Sequence, residues 1–329
     1  MVITVLHAKD KIFVNIASYR DPLLTNTIEK AYKNATHKQN IVFGVVEQAY
    51  AKESLDLNSF PFKKQIRYLR IEPEQSRGCC WARSIAQSMW QNEEYYLQID
   101  SHTEFDLGWD SIYTAKMAEL KRWHDKPIIT GYPWGFDYKN GVIRKHIRPK
   151  NPAIDTIQVV SENCFVNGYY VHAKGGLYDT TEEFTHGFML SAGSLFTLGS
   201  FVEDIPYDPV LFFNGEEQSL ALRAWTKGYN LFHTSKIPLY HCYDNSYRKM
   251  YWDEDEIKLT DWTQLEKNSM ARLQQIVTGE YIGSYGIGNE RSIEDFAKWS
   301  GIDYKNKICD TKAYTDIEMF KLDYRQKYI

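Results

Sequence analysis

From residue 11 to residue 132, short apolar runs alternate with stretches of helical periodicity, and this rhythm restricts the fold more than any other feature of the chain. Residues 11–17 (KIFVNIA) form a β-rich run, after which Asp21 and Pro22 read as an N-cap and a first-turn proline. Leu24, Ile28, Ala31, Tyr32 and Ala35 then recur at helical spacing, and residues 41–46 (IVFGVV) return to a near-continuous apolar strand. The pattern goes on through a strand at 65–71 and a helix whose face carries Trp81, Ala82, Ile85, Ala86, Met89 and Trp90. A strand at 95–100 (YYLQID), a helix face of Trp109, Ile112, Tyr113, Met117 and Leu120, and a strand at 128–132 complete it. Strands separated by helices favour parallel pairing, so the sequence predicts a doubly wound α/β domain with its ligands beyond the carboxyl ends of the strands.

Residues 134–185 lose the rhythm and read as an irregular insertion with short strands, of the kind that faces substrates. Residues 216–227 form a helix that Gly228 closes, and from residue 251 the chain becomes a charged, helix-rich tail. Trp262, Leu265, Leu273, Ile276 and Val277 are the tail's packing candidates, and Ser292, Asp295 and Gly301 frame its last helix. The expected division is a main domain over 1–250 and a helical C-terminal extension over 251–329. With 43% hydrophobic residues there is enough material for a core.

A formal charge of −4 offers no net basic footprint, so nucleic acid is not an expected partner. Lys9, Asp10, Lys11 and Asn15 interrupt the apolar start, which argues against a secretory leader. The longest uncharged run, 187–202, is too short and too polar for a transmembrane segment. Five cysteines without CxxC spacing suggest no disulfide framework, and a cytoplasmic location is expected.

Three places carry candidate chemistry. Asp100-Ser101-His102 follows an apolar strand directly, and side chains two apart in extended backbone point the same way. Asp100 and His102 can therefore aim at one divalent ion, Mn2+ or a similar one such as Mg2+, although an Asp leaving a strand is more often a turn residue. Glu216 and Glu217 open a helix, where acids also simply complement the macrodipole. His241 lies in PLYHCY after the last apolar segment, a place that suits a structural histidine equally well.

Taken in order, these features resemble the polypeptide α-N-acetylglucosaminyltransferases that modify a hydroxyproline of a cytosolic ubiquitin-ligase subunit, and their bacterial relatives. The resemblance rests on IFVNIASYRDP (12–22), GVVEQ (44–48), RGCCWARSIAQSMW (77–90) and YYLQIDSHTEFDLGWD (95–110). SAGSLFTLGSFV (191–202), NGEEQSLALRAWTKGY (214–229) and GIGNERSIEDFAKWSGID (286–303) extend it over most of the chain, whereas 134–185 match poorly.

The resemblance implies a GT-A fold (a Rossmann-like, mostly parallel sheet that binds nucleotide sugars), a retaining reaction and UDP-GlcNAc as donor. By the same match Asp100, His102 and His241 hold the metal on the donor diphosphate. Ser18, Tyr19, Arg20, Glu47 and Ser101 fall near the nucleotide and Arg83 near phosphate or sugar, and one of the candidate catalytic pair Glu216 and Glu217, Glu216 before Glu217, is expected to turn to the donor sugar. The acceptor is a hydroxyl, of a protein hydroxyproline or a glycan. Alternatives are a bacterial polysaccharide transferase using another UDP-sugar, a metal-dependent hydrolase, and a non-catalytic glycan-binding protein.

Overall fold

The computed structural model describes residues 8–148, 152–315 and 317–327. The first strand, β1 (Ala8–Tyr19), leads through α1 (Leu24–Asn34) into β2 (Ile41–Gln48), and β3 (Ile66–Ile71), α2 (Cys79–Gln87) and β4 (Glu93–Asp100) follow. After β5 (Thr103–Phe105), α3 (Trp109–Leu120) and β6 (Pro127–Thr130) come the strands of the insertion. These are β7 (Trp134–Lys139), β8 (Val142–Lys145), β9 (Ala153–Val159), β10 (Phe165–Val166), β11 (Tyr170–Val171) and β12 (Ala173–Asp179). The chain returns to the main sheet with β13 (Phe184–Gly187) and β14 (Ser194–Leu198), then runs through α4 (Phe201–Asp204), α5 (Glu216–Thr226), β15 (Asn230–Thr234) and β16 (Leu239–His241). Two longer helices, α6 (Trp262–Val277) and α7 (Ile293–Ser300), lie in the tail.

The main sheet has the order β13-β15-β6-β14-β4-β1-β2-β3. Strands β3, β2, β1 and β4 run parallel, as the strand–helix alternation predicts. Strand β14 then enters antiparallel between β4 and β6, so the sheet is mixed. Successive side chains alternate between two cores: Phe13, Val42, Tyr96, Ile128, Leu195 and Leu231 face one, and Val14, Phe43, Leu97, Ile129, Phe196 and Phe232 the other. This two-residue period explains the near-continuous apolar runs, because a sheet covered on both faces needs no polar side. Helices α1 and α3 cover the second core; α5 and the tail cover the first.

Two helix readings need correction. Helix α1 begins at Leu24, behind an N-cap, Leu23, that makes no side-chain hydrogen bond; Asp21 stands before it, its Oδ1 accepting from the Leu23 N–H at 2.9 Å while Oδ2 turns to Ser101 and His102. Helix α2 ends at Gln87 and buries Cys80, Ala82, Arg83, Ala86 and Gln87, whereas Trp81 and Ile85 are only half-buried. The cause is close packing on the sheet: a Cβ on Gly44 would lie 2.2 Å from Phe13 Cζ and 3.1 Å from the Ala86 carbonyl oxygen. Small residues let the helix approach, and the face turned inward carries Arg83 beneath the strand ends.

The tail shares the main core. Leu273, Val277, Phe296, Ile302, Tyr304 and Phe320 belong to the same cluster as Trp225 and Tyr229, and Trp225 meets Phe296 edge to face at 5.5 Å. We therefore expect Phe296→Ala to cost about 3–5 kcal/mol, the range for a large buried aromatic. In chemical denaturation the whole transition, followed by near-ultraviolet circular dichroism, should move to lower denaturant. A separate early transition confined to the tail would contradict this packing.

Candidate active site

The parallel strands β1 and β4 end side by side, with Ala17 paired to Asp100. At that edge a cavity of about 370 Å3 opens, lined by Ser18, Tyr19, Arg83, Asp100, Ser101, His102, Glu216, Glu217 and His241 among others. The position agrees with the rule that open α/β sheets bind ligands beyond their carboxyl ends.

One carboxylate oxygen of Asp100 and one ring nitrogen each from His102 and His241 lie within 4.8 Å of one another. Pairing of β16 with β5, His241 opposite Thr103, brings the distant histidine beside His102, and their ring centroids are 4.6 Å apart. His102 Nδ1 is 2.7 Å from Asp21 Oδ2, and the Ser101 hydroxyl donates to the same oxygen at 2.7 Å. Asp21 is fully buried, and its carboxylate also accepts from the Leu23 N–H through Oδ1 and lies 3.9 Å from Arg248. It fixes the ring so that Nδ1–H points to the carboxylate and the Nε2 lone pair is left for a ligand, the usual role of a carboxylate behind a metal-binding histidine. His241 Nε2 is 3.0 Å from Asp100 Oδ2, and its buried Nδ1 has no hydrogen-bond partner. Two imidazoles and a carboxylate, one ring braced and one partly orphaned, fit a divalent ion of intermediate hardness.

Behind this group lies Arg83, whose side chain is 5% exposed and whose guanidinium donates to both Asp100 and Glu216. Burial would raise the Asp100 carboxyl, but Arg83 and His241 outweigh it and hold that group far below the usual carboxylate range. Burial lowers His241, with Asp100 opposing. Against the pull of burial, Glu216, Tyr207 and Asp100 keep Arg83 protonated.

Both glutamates line the cavity, and they are held differently. Glu216 Oε1 accepts from both Arg83 and the Tyr207 hydroxyl, so it is fixed in place. Glu217 Oε1 accepts from the Ala192 N–H at 2.8 Å, the Tyr132 hydroxyl also bonds this carboxyl group, and burial pushes it up to about 7.

Other expected residues are divided. Ser18 and Tyr19 line the cavity, and the buried Ser18 hydroxyl has no partner. Arg20 faces an adjoining groove and is ion-paired with Glu53 and Glu254. Glu47 lies outside the cavity wall; its Oε2 accepts from the Leu55 N–H at 2.9 Å and the Tyr68 hydroxyl at 2.6 Å. Sequence reasoning missed the roles of Asp21, Tyr207 and Gly193. Asp21 was visible in YRDP but looked like a cap, whereas nothing in the sequence marks Tyr207. Gly193 packs against the site so closely that a Cβ there would lie 2.7 Å from Asp100 Oδ2.

These features define a class: a glycosyltransferase of the GT-A fold. Among solved structures the chain is similar to GalNAc-T7 crystallised with UDP, GalNAc and Mn2+, at 16% identity and a TM-score of 0.55. That match covers 88% of this chain but 54% of GalNAc-T7, so the chain spans about half the neighbour's length. S. aureus TarS 1–349 in complex with UDP-GlcNAc is similar at 14% identity and a TM-score of 0.45, covering 82% of this chain and 73% of that one. No curated protein matches the sequence. The chain belongs to the glycosyltransferase (GlcNAc) family, whose model matches residues 11–61 and 53–306.

A raised acid gives a definite pH dependence. The folded chain holds the Glu217 proton up to about pH 7, whereas an unfolded glutamate releases it near 4.5. Stability from this group is therefore full below about pH 4.5 and is lost as pH rises towards 7. Glu217→Gln, which mimics the protonated form, should raise the denaturation midpoint at pH 8 and leave it nearly unchanged at pH 4.5. Equal shifts at both values would place the charge of Glu217 outside a low-dielectric setting.

Proposed function

We propose that the protein transfers N-acetylglucosamine from UDP-GlcNAc to an acceptor hydroxyl with retention of anomeric configuration, using a divalent ion, Mn2+ or Mg2+, held by Asp100, His102 and His241. The convergence of these three side chains on one point at the cavity carries the reading. Its support in sequence is the family match and the resemblance to hydroxyproline-modifying relatives. The acceptor is an alcohol, on a protein hydroxyproline or a glycan. Five free cysteines suit a reducing compartment such as the cytoplasm. No helix among the described residues is long and apolar enough to cross a membrane.

When bound, the ion would supply positive charge against the diphosphate as the glycosidic bond breaks. Ser18 and Tyr19, at the end of β1, face the nucleotide side of the cavity, and the unpartnered Ser18 hydroxyl is placed to bind it. Arg83 holds Asp100 in position and, through Glu216, fixes the start of α5. Glu217, partly protonated near neutrality, can both donate to and accept from a sugar hydroxyl or amide. In front-face retention the departing phosphate takes the acceptor proton, so neither glutamate needs to act as a base.

Calorimetry with UDP and Mn2+ tests the metal assignment. Asp100→Ala should abolish Mn2+-dependent UDP binding, His241→Ala should weaken metal and UDP together, and Asp21→Asn should weaken metal affinity about 10–100-fold. Undiminished binding by Asp100→Ala would remove the assignment.

Stereochemistry is tested separately. A donor screen should select UDP-GlcNAc, and proton NMR of the first product formed should show an α-linkage. A β-linkage would recast Glu217 as the general base of an inverting enzyme.

A further inference from the structure

Helix α2 opens with two adjacent cysteines behind Gly78, whose φ of +94° turns the chain into the helix. The half-buried Cys79 lines the donor cavity and Cys80 is fully buried beside it. Cys79 Sγ lies 3.8 Å from Cys80 Sγ and 3.6 Å from Glu216 Oε2, and one ligand atom from each of the three residues lies within 4.8 Å of the others. Arg83 and Tyr207 occupy Oε1 of Glu216, which leaves Oε2 as the oxygen turned to the sulfur.

These separations match a coordination shell. Two sulfurs each ~2.3 Å from a tetrahedral zinc ion are about 3.8 Å apart, and a sulfur and a carboxylate oxygen are about 3.6 Å apart. Burial, with Cys79 and Glu216 beside it, holds the Cys80 thiol well above its ordinary value and Arg83 opposes this, so the ion itself has to displace that proton. Cys79 and Cys80 occupy the first turn of α2, whose N–H groups favour thiolates once they form. Exchange of two thiol protons for one divalent ion leaves the net charge of this buried cluster unchanged, so no new charge has to be desolvated. The cavity gives the ion a way in, and a water a place as fourth ligand.

We propose that Cys79, Cys80 and Glu216 form a second cation site, for a soft divalent ion such as Zn2+ or Cd2+, in the wall of the donor cavity. It is separate from the Asp100–His102–His241 group, whose nitrogen and oxygen donors suit a harder ion, whereas two sulfurs select a thiophilic one. Binding forms two metal–sulfur bonds and one metal–oxygen bond, breaks two S–H bonds and passes both protons to solvent. The sulfurs keep their oxidation state. This site stands on the geometry of α2 and α5 and does not depend on the identity of the donor or acceptor.

The test is titration of the reduced full-length protein with Cd2+, followed by thiolate-to-cadmium charge-transfer absorption and by proton release. A band that saturates at one equivalent, with about two protons released per ion, is expected. The band should persist in His102→Ala and be lost in Cys79→Ser, a small change at a half-buried position. Cys164 and Cys309, whose thiols share a hydrogen bond, are the competing pair, so Cys164→Ser should keep the band. Absence of a band in the unmodified protein, its survival in Cys79→Ser, or its loss in Cys164→Ser would each overturn the proposal. Should Cys79→Ser fail to fold, the Cys164→Ser titration decides the matter.

Discussion

One buried guanidinium organises the site. Arg83 enters from α2 and donates to Asp100 at the end of β4 and to Glu216 at the start of α5, tying three elements together where the sheet opens. A buried charge is costly unless it is paired and hydrogen-bonded, and removing one partner leaves the rest uncompensated. The arrangement is thus far more determined than a surface ion pair, and it fixes two carboxylates at the mouth of the cavity. Tyr207 closes the network from the α4–α5 connection by donating to Glu216. Asn15 completes the frame from β1, its side-chain amide donating to the Arg83 backbone carbonyl at 3.2 Å.

Around this bridge the remaining site residues are positioned by strand register more than by local sequence. Asp100 and His102 come to the edge because β4 ends there, and His241 arrives because β16 pairs with β5. Asp21 reaches His102 only because β1 lies next to β4, so that the loop after β1 runs beside the loop after β4. The segment following β16 then folds back over the end of β1. Tyr251 donates its hydroxyl to the Ser76 carbonyl, its ring is 5.8 Å from that of Tyr19, and Glu254 accepts from Tyr19 at 2.8 Å. Tyr19 and Tyr251, 232 positions apart in sequence, thus share one wall of the cavity.

Much of the fold was legible because each strand is apolar on both faces and each helix keeps a recognisable stripe, as in the runs at 41–46 and 95–100. The mixed order of the sheet was not, since Ser194–Leu198 reads as a buried strand in either direction and direction is set by long-range pairing. The cluster of Asp100, His102 and His241 was legible in part: the spacing of Asp100 and His102 implies a common direction, but His241 needed a family resemblance to join them. Polar residues with two uses were legible for one of them. Asp21 before a proline looks like a helix cap, and only the tertiary position of His102 reveals its other use. Glu216 and Glu217 are equivalent in sequence, and their different hydrogen bonding follows from Arg83 and Tyr207, which lie remote in the chain or unmarked in it.

The charge lining the cavity explains why a nucleotide diphosphate would need an ion here at all. Arg83 and Arg248 are the Lys or Arg side chains among the lining residues, against the acids Asp100, Glu216 and Glu217. Arg83 is already neutralised by two carboxylates, and Arg248 lies 3.9 Å from the buried Asp21. Arg20, just outside, is paired with Glu53 and Glu254. A diphosphate entering this wall would therefore meet little uncompensated positive charge from the protein, and in a partly enclosed site that deficit is not screened as it would be in water. A divalent ion held as proposed by Asp100, His102 and His241 would remove that deficit. Metal dependence, on this reading, follows from how completely the protein has used its own arginines to hold its carboxylates in place.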